Sequence, residues 1–129
     1  MKPNVMLTIS SLLSVLFLTF HFASDFIHNQ GELSLQGVFI ESLILVFLLY
    51  GTLALAGRKS GYIITLIGGL GALGMPVLHL WRATSVTGAI DRPGAFIFVW
   101  ALLCLAVTGL FSFTLSVRGL LSLRRGQPQ

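Results

Sequence analysis

Charge is scarce in this sequence. Only 9% of its 129 residues are Asp, Glu, Lys or Arg, whereas a soluble domain carries about 25% because water must solvate its surface. That shortage excludes an ordinary water-soluble fold. Cysteine is scarcer still. The single Cys104 excludes an internal disulfide and any zinc site built from paired cysteines. Set inside an apolar run, it reads as a small buried hydrophobe. Several catalytic signatures are missing too. There is no HExxH or ExxH pair, no haem-attachment CxxCH, and no Gly-x-Ser-x-Gly nucleophile elbow. The glycines near position 70 lie within an apolar span, not between a strand and a helix, so they form no phosphate loop. The chain therefore reads as a non-enzymatic protein.

What is abundant is apolar. Hydrophobic residues make up 55% of the chain and the mean hydropathy is +0.92. Four hydrophobic runs, at about 5–27, 35–56, 62–82 and 95–117, each approach the roughly 20 residues that a helix needs to cross the hydrocarbon core. Lipid cannot satisfy backbone polar groups, so each run is predicted to be a helix. The breaks hold turn-forming residues: Asn29-Gln30-Gly31, Gly57 to Gly61, and Asp91-Arg92-Pro93-Gly94. Links this short make neighbours antiparallel. The expected fold is all-α, a single integral membrane domain of four transmembrane helices in up-down-up-down order. The first run is longer than a signal peptide's apolar core and lacks an A-x-A-like site, so it is expected to remain as a helix.

Charge sets the expected orientation. Lys2, Arg58, Lys59, Arg118, Arg124 and Arg125 fall on one side; Asp25, Glu32, Glu41 and Asp91 fall towards the other, with only Arg82 and Arg92. The positive-inside rule puts both termini in the cytoplasm and the chain in the plasma (inner) membrane. The net charge of +4 does not point to nucleic acid, because the basic residues sit at helix ends instead of forming an aromatic-laced patch. Arg118 to Gln129 reads as a short basic tail whose arginines reach the headgroups.

Helix association in lipid depends on close packing. Gly68 and Ala72 form a small-xxx-small pair in the third helix; Cys104, Thr108 and Ser112, and likewise Ser10 and Ser14, make smooth ridges on the fourth and first. Pro76 removes a backbone hydrogen bond and predicts a kink near residues 72–76, just before His79.

The residues that could carry chemistry are His21, Asp25, His28, Glu41, His79 and Arg82. His21, Asp25 and His28 recur at i, i+4, i+7 and share a helix face. With the helices alternating in direction, all of them fall in the outer third of the bundle. Ionisable groups at that depth are costly and usually mark a site or pathway. One reading is a divalent transition-metal site held by His21, Asp25, Glu41 and His79, with His28 as a further ligand. Another is a haem between His21 and His79. A third is a structural network in which Asp25 or Glu41 pairs with Arg82 or Arg92. A transporter protomer would use Glu41 to couple cations or protons, and would have to oligomerise to enclose a pathway. The expected partners are the lipid bilayer and either further copies of the chain or a larger membrane complex. The four ligand candidates should converge inside the bundle if they form one site.

Overall fold

A computed structural model describes residues 3–28, 35–82 and 95–126, with side chains placed for 4–24, 35–79 and 96–126. The described residues form four helices: α1 (Pro3–His28), α2 (Leu35–Leu53), α3 (Lys59–Arg82) and α4 (Ala95–Arg124). Each is long and apolar enough to span a membrane.

The helix ends follow local chemistry. Proline opens α1, where a missing N–H costs nothing. After α2 the chain turns through residues 54–57, and Gly57 takes a left-handed φ of 76° that a side chain would resist. The Arg58 amide then donates to the Leu55 carbonyl, and the Tyr62 amide to that of Arg58, starting α3. At the far end of α4, Gly126 adopts φ 63° and its amide donates to the Leu123 carbonyl, a glycine cap of the usual kind.

Three boundaries differ from the sequence expectation by about a turn or more, and one is the start of α3 at Lys59 instead of 62. The stretch from Arg118 is helical to Arg124, not a loose tail. α4 as a whole has 30 residues, about 45 Å at 1.5 Å per residue, longer than the roughly 30 Å of a hydrocarbon core. Conversely, α2 stops at Leu53, a turn earlier than its apolar run, because Gly57 reverses the chain.

Three helices build the interior. Leu18, Ala72 and Leu105, from α1, α3 and α4, form the buried centre, with Phe17, Phe22, Leu45, Leu48 and Met75 packed against it. The most apolar window of α2 is only 11% buried, against 33%, 33% and 28% for α1, α3 and α4. Thus α2 lies along a three-helix core rather than inside one. Its outward Phe39, Leu43, Val46, Phe47 and Leu53 are exposed, which suits contact with lipid tails.

Small residues let the backbones meet, though not in the register expected. A Cβ added at Gly69 would fall 2.8 Å from the Phe113 amide and 2.9 Å from the Gly109 carbonyl; one added at Gly109 would fall 2.7 Å from the Ala72 Cβ. Gly69 and Ala72 therefore face α4. Gly68 faces α2 instead, with Leu48 in the space its side chain would fill. The small-xxx-small pair of Gly68 and Ala72 thus serves two different interfaces. Successive helical positions point about 100° apart, so a run of glycines can serve two neighbours.

Candidate functional site

Two kinds of polar interior occur in this bundle. The first is a set of hydroxyl pairs between helices. Ser10 pairs with Ser112 at 3.0 Å and donates to the Thr108 carbonyl at 3.0 Å. Ser14 lies 3.4 Å from the same Ser112. Ser11 pairs with Thr52 of α2 at 2.6 Å, and Thr65 pairs with Ser116 at 2.8 Å. Tyr62, almost fully buried, donates to the Asn4 side chain, and its ring lies where a side chain at Gly119 would go. A narrow cleft between Asn4, Thr8, Thr52, Tyr62 and Thr65 closes this end. Hydroxyls of this kind supply no strong base and no metal donor of useful affinity. They join helices.

The second is the pair His21 and His79. His21 is only 1% exposed, one turn beyond the buried Leu18 on the same face of α1. His79 is half-buried near the end of α3. Their Nε2 atoms lie 3.3 Å apart, with the rings edge-to-face at a centroid separation of 4.9 Å. Phe98, on the first turn of α4, packs against both, at 5.4 Å from His21 and 5.2 Å from His79. Phe22 lies 5.9 Å from His21. Three helices thus bring two imidazole nitrogens together inside an aromatic enclosure.

At 3.3 Å one N–H can donate weakly to the other ring, which requires opposite tautomers at the two Nε2 atoms. The same atoms are the ones imidazoles use to bind metal. The helix carrying His79 runs unbroken through Pro76.

Among the described residues no three of His, Cys, Asp and Glu gather as a metal cage. Glu41 is half-buried on α2. The side chains of Asp25, His28 and Arg82, and all of Arg92, lie outside the described residues. Phe98 and the Asn4–Tyr62 and Thr65–Ser116 pairs had no signal in the sequence. Phe98 is one apolar residue in an apolar run, and uncharged hydroxyls stand out from neither helix nor loop. Comparison of the chain with protein-family models, with curated proteins and with solved structures finds no match.

Proposed function

We propose that this is a small polytopic membrane protein, a non-enzymatic binding or accessory protein that holds one transition-metal ion between His21 and His79. The observation that carries the reading is the 3.3 Å separation of two Nε2 atoms, one on the buried His21 and one on the half-buried His79. Two metal–imidazole bonds of about 2.0 Å drawn from atoms 3.3 Å apart meet at about 110°, the angle of a tetrahedral centre. Little movement is then needed to admit an ion. Burial and the flanking Phe98 and Phe22 fix the ring orientations, and such preorganisation lowers the cost of binding. An ion between α1 and α3 would also staple two helices.

The four helices lie across the plasma (inner) membrane in up-down-up-down order with both termini cytoplasmic, as the distribution of basic residues supports. In that orientation the histidine pair sits in the outer part of the bundle and receives its ion from outside. Leu18, Ala72 and Leu105, the last with no exposed surface, lie between the pair and the hydroxyl-lined end. This apolar plug favours a binding protein over a transport path through one chain. A haem suits the pair less well than a single ion. Two axial bonds of about 2 Å would set the nitrogens about 4 Å apart across a flat macrocycle, and Phe98 packs against both rings.

The test is elemental analysis of protein purified gently in detergent, alongside His21→Ala and His79→Ala. About one transition-metal ion per chain is expected in the unaltered protein and little in either variant, because each substitution removes one of the two imidazole ligands. Metal well below one per chain after exposure to zinc and copper would leave the pair as a hydrogen bond between helices.

A further inference from the structure

We infer that the ion held by this pair is cuprous copper, with the thioether of Met75 as its third ligand; the inference rests on the metal-binding reading above. Met75 precedes His79 by one turn of α3 and so shares its face. Helical side chains lean towards the N-terminus of their helix, which tips the His79 ring back over the turn that carries Met75. Met75 also packs against Leu18, Ala72 and Leu105, the same cluster that receives Phe22. Met75 and the two histidines therefore lie along one interface, where α1, α3 and α4 join.

The donors and their surroundings both select the metal. A thioether is a soft ligand that favours copper(I), and imidazole suits copper equally well. Zinc, by contrast, ordinarily takes four ligands from nitrogen, thiolate and carboxylate. Met75 cannot supply the negative charge that would offset a divalent ion. The enclosure is aromatic and aliphatic, and the solvation lost on burying an ion grows with the square of its charge. A monovalent ion costs about a quarter as much to bury there as a divalent one. Three ligands, two nitrogens and one sulfur, also satisfy copper(I) without further protein groups. Cys104 is the sulfur of α4, but it lies six residues, about 9 Å along the axis, beyond Phe98, the α4 residue that packs against both histidines.

The experiment measures copper(I) affinity of the detergent-purified chain under anaerobic, reducing conditions, by competition against a chromogenic copper(I) chelator. Zinc(II) affinity is measured in parallel by competition against a zinc chelator. Met75→Leu conserves volume and should fold. It is expected to weaken copper(I) by at least about tenfold while changing zinc(II) by less than about twofold, since only the soft donor is lost. His79→Ala is expected to remove both. Helical circular dichroism of each variant reports whether it has folded. If zinc(II) binds one per chain more tightly than copper(I), and Asp25→Asn rather than Met75→Leu abolishes it, the copper assignment is wrong while the metal-binding reading stands. If neither ion binds the unaltered chain, both fall together. If Met75→Leu weakens both ions equally, Met75 acts through packing and the assignment of its sulfur as a ligand is overturned.

Discussion

The two ends of the bundle interior are both polar, yet they are built on different terms. At one end Ser10, Ser11, Thr52, Thr65, Ser112, Ser116 and Tyr62 bond to one another, to a carbonyl or to Asn4, with glycine backbones in contact nearby. Each group there is neutral, and its partner lies on a neighbouring helix. At the other end two imidazoles face each other within phenylalanine rings, beyond an aliphatic plug. Polarity in the first region substitutes for the hydrophobic effect, which cannot drive helices together in lipid. Polarity in the second exceeds what joining two helices needs, because a serine pair would serve as well. The excess is the reason to look for a ligand there.

That contrast can be broken by substitution. Gly109→Leu should have the largest effect on stability. The added side chain would start 2.7 Å from Ala72 and 3.0 Å from the Gly69 carbonyl, and separating α3 from α4 should cost about 3 kcal/mol or more. Thermal unfolding in detergent would register it, and an unchanged midpoint would mean that the backbones do not approach as described. His79→Ala comes next. It removes the imidazole 3.3 Å from the buried His21 Nε2, a hydrogen bond worth about 1 kcal/mol, and it alone of these changes should abolish metal binding. Ser116→Ala should cost only about 0.6 kcal/mol, typical for a hydrogen bond between membrane helices. Thr65 keeps the Gly61 carbonyl at 2.9 Å as an alternative acceptor, which limits the damage. Glu41→Gln should be smallest for metal, leaving stoichiometry unchanged, since the proposed centre draws its nitrogen ligands from His21 and His79 alone. A loss of metal in that variant would move the centre towards α2 and away from the histidine pair.

Much of the fold was legible in the sequence because long apolar runs leave few alternatives. A run of about 20 mostly apolar residues reads as a helix, and a helix lies at each of the four runs. The ends were less legible. Arg118 interrupts the apolar run without ending the helix, because charge bears on depth in the membrane and not on backbone geometry. The actual stop is Gly126, eight residues later. Likewise the glycine run of α3 announced a close approach, but which neighbour each glycine meets depends on helix rotation, so Gly69, not Gly68, meets α4.

The site divides in the same way. His21 and His79 stood out because imidazoles are rare in apolar helices, and their matching depths could be counted from the ends. Glu41 was equally conspicuous, and its depth alone does not say which neighbour it faces. Depth is readable from position along a helix, whereas the facing direction around its axis depends on packing by its neighbours. Phe98 shows the converse. It encloses the pair from α4, yet nothing distinguishes it from Phe96 in sequence except the side of the helix it occupies.

The most direct test of the histidine centre is X-ray absorption spectroscopy of the metal-loaded protein, which counts imidazole neighbours around the ion. An ion held by His21 and His79 should show two imidazole nitrogens at about 2.0 Å in the unaltered chain and one or none after His21→Ala. A spectrum with only oxygen neighbours, unchanged by that substitution, would show that the ion binds elsewhere and that His21 and His79 simply hold α1 to α3.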